Sequence, residues 1–284
     1  MTTSTLISAE ALAARLDEPR LRIFDCRFDL ACPTAGRAQY HVDHLPRAVY
    51  ADLNDDLSAP VTARSGRHPL PPPTMVEARL RARGLNCDSR VVAYDDGSGM
   101  YAARLWWMLR WLGHDDVAVL DGGMRRWREL GLPVEQAVPA TTTGNFVARL
   151  RDDCAVDATA VMDATGDASV RILDARAPER YRGEVEPIDA VAGHVPGARN
   201  HPFTLSLGTD GRFLPPDELR SRFLASLDDV PASRTIAMCG SGVTACHLLL
   251  ALEHAGLDGA RLYPGSWSEW SSDPARPIQT GATA

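Results

Sequence analysis

Apolar and polar positions along this chain form short blocks that predict strands followed by helices. Residues 171–174 and 235–238 are short runs built around apolar residues, and we predict buried strands there. Residues 217–227, which follow a Pro-Pro pair, and residues 245–255, which precede a glycine, have helical spacing. We predict another short strand at residues 260–263. Strands that alternate with helices predict an α/β fold whose parallel sheets carry helices on both faces.

The same order of motifs occurs twice in the chain. The matching pairs are LRIFDCR at 21–27 with VRILDAR at 170–176, HLPRA at 44–48 with HVPGA at 194–198, and GSG at 97–99 with GSG at 240–242. Similar motifs at a nearly constant offset indicate two copies of one domain. We predict an N-terminal domain over residues 1–139, a linker over 140–157 and a C-terminal domain over 158–284.

Composition narrows the classes of partner and compartment. The net charge of −7 and the scattered arginines argue against a nucleic-acid partner or an anionic membrane surface. We find no signal-peptide pattern at the N-terminus and no apolar run of 18 residues, so we expect no membrane span. The 6 cysteines form no CxxC pair, which favours free thiols in a cytoplasmic protein over disulfides or zinc. We expect neither a metal nor a cofactor.

The segment around Cys239 carries the candidate chemistry. A predicted strand runs into Cys239, a Gly-Ser-Gly turn follows, and a helix then begins. Inward-pointing N–H groups and a helix N-terminus favour negative charge there, so we expect this thiol to ionise more readily than a free cysteine and to act as a nucleophile. The equivalent place in the first copy carries Asp95 and Asp96. The alternative is an inert buried cysteine.

Two other motifs fit this segment less well. G-x-G-x-x-A occurs in both copies, but Asp115 and Asp116 lie before the following strand at 117–120, the wrong end for the acid that dinucleotide binding expects. A C-x5-R phosphatase loop needs arginine at position 245, where this chain has alanine. Cys246, two helical turns after Cys239, is expected to pack on its helix, with a redox function as the alternative.

The run CGSGVTA at 239–245 resembles the active-site loop of the 3-mercaptopyruvate sulfurtransferases, tandem members of the rhodanese superfamily. Similar motifs cover nearly the whole chain, among them GHVPGA at 193–198 and GSWSEW at 265–270. The resemblance implies two tandem rhodanese-like domains, of which the second is catalytic, with Cys239 as the nucleophile. It also implies that loop residues contact the substrate, namely Gly240, Gly242, Val243 and Thr244.

The resemblance also bears on the sulfur donor. Thiosulfate-preferring relatives usually carry basic side chains just after the cysteine, whereas Gly240 and Ser241 are neutral and suit a monoanionic carboxylate. It implies Arg182 as the carboxylate clamp, because a guanidinium can bind both oxygens; the alternative is a surface charge. The family often has a second arginine shortly afterwards, where this chain has the stretch EPIDA at 186–190.

A proton relay of Ser241, His68 and Asp52 is also implied by the resemblance, since a histidine between a hydroxyl and a carboxylate can move a proton near neutral pH. The alternative is a loop histidine and a capping aspartate. His44 and His194 recur in both copies, which favours a structural function in a turn.

These inferences together predict a two-step sulfur transfer. Cys239 takes sulfur from 3-mercaptopyruvate as a persulfide, pyruvate leaves, and cyanide or a thiol such as thioredoxin or glutathione accepts the sulfur. The alternatives are a thiosulfate:cyanide sulfurtransferase that uses the same cysteine and a persulfide carrier without turnover.

Overall fold

The computed structural model describes residues 5–282 and divides the chain into two compact units. The first unit contains the residues up to 59 together with 70–151 and 209–213, and the second contains 60–69, 152–208 and the residues from 214 onward. The predicted boundaries gave each domain one continuous stretch. In the structure, the segment 60–69 instead belongs to the second unit and the segment 209–213 to the first.

The first unit is built on a parallel sheet with the strand order β1-β5-β4-β2-β3. Its strands are β1 (Leu6–Ile7), β2 (Leu21–Asp25), β3 (Val49–Tyr50), β4 (Arg90–Tyr94) and β5 (Val117–Leu120). Its helices are α1 (Ala9–Ala13), α2 (Ala35–Val42), α3 (Pro73–Ala82), α4 (Ala102–Trp111) and α5 (Gly123–Glu129). Each βαβ connection brings the carboxyl ends of the strands to one edge of the sheet, where ligands of such folds bind.

The second unit repeats this plan with the parallel order β7-β6-β8-β9. Its strands are β6 (Arg171–Asp174), β7 (Arg199–Asn200), β8 (Thr235–Met238) and β9 (Arg261–Leu262). Its helices are α6 (Ala158–Ala164), α7 (Pro178–Tyr181), α8 (Pro216–Leu227), α9 (Thr244–His254) and α10 (Ser266–Trp270). The predicted α/β fold of two similar domains with parallel sheets and flanking helices is therefore confirmed. Among residues 5–282, no helix is long and apolar enough to cross a membrane.

The central strands of the two units pair in the same register. Asp25 on β2 lies opposite Tyr94 on β4, and Asp174 on β6 lies opposite Met238 on β8. The residue after β4 and the residue after β8 are therefore structurally equivalent, which matches Asp95 of the first unit with Cys239 of the second.

The repeated His-x-Pro elements are structural in both units. His44 and His194 are completely buried, and each Nδ1 lies within hydrogen-bond distance of a tyrosine carbonyl oxygen: 2.8 Å to Tyr40 and 2.7 Å to Tyr181. Each imidazole also stacks on the ring of that tyrosine. These contacts agree with the predicted function in a turn.

Candidate active site

Cys239 lies where β8 ends and the loop toward α9 begins. All residues of β8 are buried, and Cys239 itself is only 2% exposed. Its Sγ accepts the N–H of Gly242 at 3.1 Å, while its own N–H donates to Ser266 Oγ at 3.0 Å. A backbone donor fixed on the sulfur is the kind of contact that stabilises an anionic thiolate or persulfide. Val243 and Thr244 close the loop, since α9 begins at Thr244.

Gly242 is required by the shape of this loop. Its φ of 78° lies in the left-handed region, and a β-carbon would come within 2.4 Å of the carbonyl oxygen of Pro264. Only glycine adopts this conformation without strain and leaves room for the neighbouring backbone. The buried thiol of Cys246 donates to the carbonyl oxygen of Gly242 at 3.1 Å, so it packs against the base of the loop.

Ser241 and His68 are in direct contact. Ser241 Oγ and His68 Nδ1 are 2.7 Å apart, and the two residues are 7% and 5% exposed. Either atom can donate, depending on the tautomer of the imidazole. His68 reaches Ser241 because the segment 60–69 belongs to the second unit, where the N–H of Arg67 also donates to Ser268 Oγ on α10. The proton transfer assigned to this pair stays a prediction.

The other two polar residues implied by the resemblance have local partners. The Oδ1 atom of Asp52 accepts the N–H groups of Asn54 and Asp55 at 2.8 and 3.1 Å, as a turn-capping aspartate does, and Asp52 belongs to the first unit. The guanidinium of Arg182 donates to both oxygens of Glu184, at 2.7 and 2.8 Å, and the side chain is 35% exposed. These contacts of the Arg182 guanidinium are those of a surface ion pair.

Two other guanidinium groups lie against the loop at residues 239–244, which we call the cysteine loop. A β-carbon at Gly240 would lie 2.9 Å from Nη2 of Arg67 and 3.6 Å from Nη1 of Arg180. The absence of a side chain at position 240 therefore gives both cations access to the residue that follows Cys239. No sequence motif assigned either arginine to the site.

Two acidic residues hold these arginines. Glu186 accepts from Nε and Nη2 of Arg180, the shortest distance being 2.6 Å. Asp189 lies 3.3 Å from Nη2 of Arg180 and forms a close ion pair with Nη1 of Arg67. Burial raises the pKa of Asp189, against the opposing effect of Arg67. Each guanidinium beside Gly240 thus has an acidic partner, and Glu186 also lies 3.5 Å from the buried guanidinium of Arg176.

The first unit shows the same kind of loop filled by a carboxylate. Oδ1 of Asp95 accepts the N–H groups of Gly97 and Gly99, and Oδ2 accepts those of Tyr101 and Ala102, at distances from 2.9 to 3.3 Å. Burial raises the pKa of Asp95, and the four N–H donors oppose that change. The loop therefore gathers backbone donors around an anion, here one of its own side chains.

The sequence held only faint signals for the arginines. Arg67 directly precedes His68, and Arg180 lies two residues before Arg182. The acidic residues at 186 and 189, noted only as a departure from the family pattern, are their partners.

Comparison with known proteins gives consistent matches along the chain. A model described as the rhodanese-like domain matches residues 8–130 and 157–273. A Pseudomonas aeruginosa protein provisionally named 3-mercaptopyruvate sulfurtransferase is 50% identical over 99% of this chain and 100% of its own length. SseB of Mycobacterium tuberculosis, provisionally named a thiosulfate sulfurtransferase, is 43% identical over 97% of each chain. The solved 3-mercaptopyruvate sulfurtransferase from Leishmania major superposes with a TM-score of 0.82 at 33% identity, over 94% of this chain and 74% of that one.

Proposed function

This chain belongs to the rhodanese family and is a sulfurtransferase, and we propose that it takes sulfur from 3-mercaptopyruvate through a persulfide on Cys239. The observation that carries the proposal is the cysteine loop itself. Sγ of Cys239 accepts a backbone N–H, and Ser241 of the same loop contacts His68 from the segment 60–69. A nucleophile, an anion-stabilising donor and a proton-transfer group are the parts that this reaction needs.

In the first step, the Cys239 thiolate attacks the sulfur of 3-mercaptopyruvate. The sulfur–sulfur bond forms as the carbon–sulfur bond breaks, and the electron pair of the broken bond leaves on pyruvate as its enolate. The enolate then takes a proton, and the persulfide loses the proton that its outer sulfur brought from the donor. We assign the movement of this proton to Ser241 and His68, which are 2.7 Å apart.

The substrate carboxylate needs a cation close to Cys239. Arg180 suits this contact better than Arg182, because Nη1 of Arg180 lies 3.6 Å from the β-carbon position of Gly240, whereas no atom of Arg182 is among the nearest to that position. Glu186 binds the Nε and Nη2 side of Arg180, which holds the guanidinium in a fixed orientation. We therefore assign the carboxylate contact to Arg180, with the N–H groups of the loop 240–244 around the transferred sulfur.

In the second step, an external thiol or cyanide attacks the outer sulfur of the persulfide. The sulfur–sulfur bond to Cys239 breaks, and the cysteine leaves as the thiolate that begins the next cycle. A small thiol or the exposed cysteine of a thioredoxin-type protein has the required chemistry. Because the enzyme is loaded by one substrate and unloaded by another, we expect ping-pong kinetics.

Thiosulfate is the alternative donor, and the 43% identity to SseB favours keeping it as the second candidate. The charges at the site favour 3-mercaptopyruvate. Arg67 and Arg180 are matched by Asp189 and Glu186, so little net positive charge is left to hold a dianion beside the Cys239 thiolate.

The test is steady-state kinetics of the full chain with both donors. We expect kcat/KM for 3-mercaptopyruvate to exceed that for thiosulfate, and Cys239→Ser to release no pyruvate. A protein that prefers thiosulfate would replace the proposed donor with the second candidate. Pyruvate release by the Cys239→Ser protein would exclude the persulfide mechanism with either donor.

A further inference from the structure

We infer that Arg67 is a second substrate-binding residue, which holds the anionic group of the sulfur donor together with Arg180, and that Asp189 is the positioning residue for Arg67. This inference rests on the proposed sulfur transfer and adds a residue that no motif of the chain indicated. It accounts for the stretch 186–190, which has an acidic residue at 189 and no arginine.

The position of Arg67 is the first support. Its Nη2 lies 2.9 Å from where a β-carbon of Gly240 would be, closer than any atom of Arg180. Gly240 directly follows the nucleophile. A donor whose sulfur meets Cys239 therefore brings its anionic group close to this position. The side chain of Arg67 is 25% exposed, which leaves part of it accessible to a substrate.

The orientation of the guanidinium is the second support. Asp189 engages Nη1 of Arg67, whereas the buried Nε has no hydrogen-bond partner among the described residues. Nε and Nη2 form the side of a guanidinium that can donate two parallel hydrogen bonds to one carboxylate. A buried N–H without a partner is costly, and a bound carboxylate supplies the missing acceptor.

Asp189 explains why the second cation comes from the segment 60–69. Its side chain is only 7% exposed and lies between Arg67 and Arg180. Arginine at position 189 would place three guanidinium groups together, whereas aspartate binds one guanidinium and lies 3.3 Å from another. The carboxylate therefore holds both cations beside Gly240 and limits their repulsion.

The test compares Arg67→Ala with Asp189→Asn in the full chain. If Arg67 binds the donor, Arg67→Ala raises KM for 3-mercaptopyruvate about 10- to 100-fold, as expected for a lost hydrogen bond to a charged group. Asp189→Asn keeps the guanidinium and raises KM less than fivefold. Sulfur transfer from the preloaded persulfide to 2-mercaptoethanol stays within twofold of wild type in both variants, because the donor has already left. Arg64→Ala, in the same segment and exposed, is the matched control with unchanged KM.

A purely structural ion pair makes the opposite prediction. Because either substitution breaks that pair, Arg67→Ala and Asp189→Asn would then change KM equally, and this result would overturn the inference, as would an unchanged KM in Arg67→Ala. Arg67→Gln, with thermal unfolding measured for each variant, separates lost binding from misfolding. If the wild-type protein uses thiosulfate instead, the proposed donor fails, and the same comparison of variants is made with the KM for thiosulfate.

Discussion

Gly242→Ala tests whether the shape of the cysteine loop is essential for both stability and catalysis. The left-handed φ of 78° costs an L-residue about 1–2 kcal/mol. The added β-carbon would also approach the carbonyl oxygen of Pro264 to 2.4 Å, and relieving that overlap costs roughly 1–3 kcal/mol more. The backbone shift that relieves the overlap moves the N–H that donates to Cys239 Sγ.

Gly197 provides the matched control. Its φ is 77°, but a β-carbon there would meet nothing within 4 Å. Gly197→Ala therefore has the conformational cost without the overlap. We expect Gly242→Ala to lower the free energy of unfolding by at least about 1 kcal/mol more than Gly197→Ala does.

Catalysis gives the second readout. Loss of a hydrogen bond to an anionic sulfur is worth about 1.5–3 kcal/mol, so kcat/KM for the sulfur donor should fall roughly 10- to 150-fold in Gly242→Ala. In Gly197→Ala it should stay within twofold. Urea unfolding followed by tryptophan fluorescence and steady-state pyruvate release measure the two effects. Equal stability losses together with an unchanged kcat/KM in Gly242→Ala would refute the reasoning.

Three further predictions follow from side chains of the second unit. Ser241→Ala should lower kcat with 3-mercaptopyruvate about 100-fold but spare turnover with thiosulfate, whose sulfite product needs no proton; an equal loss with both donors would count against the proton relay. Arg180→Ala should raise KM about tenfold while Arg182→Ala leaves it unchanged, and the reverse order in steady-state assays would return the clamp to Arg182. Burial lowers the pKa of His201 to about 4 from 6.5, so protonation of this imidazole disfavours the folded state. The stability that the neutral imidazole contributes is fully present above pH 6.5 and is lost as the pH falls through 4. In urea titrations, the unfolding free energy of the wild type should fall by about 3 kcal/mol more than that of His201→Gln as the pH is lowered from 6.5 to 4. Identical pH slopes for the two proteins would contradict this.

The sequence was sufficient for the parts of the site that depend on local patterns. The strand at 235–238, the glycine turn and the helix after it are determined by residues close together in the chain, and the repeat revealed the second copy of the fold. The contact of Ser241 with His68 was suggested only through the family resemblance, because the two positions are far apart in sequence.

The arginines show where local reasoning was not enough. Arg180 lies in the last turn of α7 and Arg182 caps that helix, so their side chains leave nearly opposite sides of the axis, about 160° apart. Which of the two faces the cysteine loop depends on tertiary packing, here on Glu186, which binds Arg180. Arg67 depends on the segment 60–69 joining the second unit, which no local pattern predicts.

If sulfur transfer proceeds as proposed, the carboxylate of Asp95 limits how much sulfur one chain carries. Four backbone N–H groups of the first loop are already occupied by that side chain, so this copy offers an incoming persulfide no free cradle. The nearby Cys26 does not substitute for a nucleophile, because burial, with Asp25 and Asp95, raises the pKa of its thiol well above the ordinary value. Under the proposed persulfide mechanism, we therefore expect one cyanolysable sulfur per loaded chain, although the fold is present twice. Active-site titration thus counts molecules of enzyme directly.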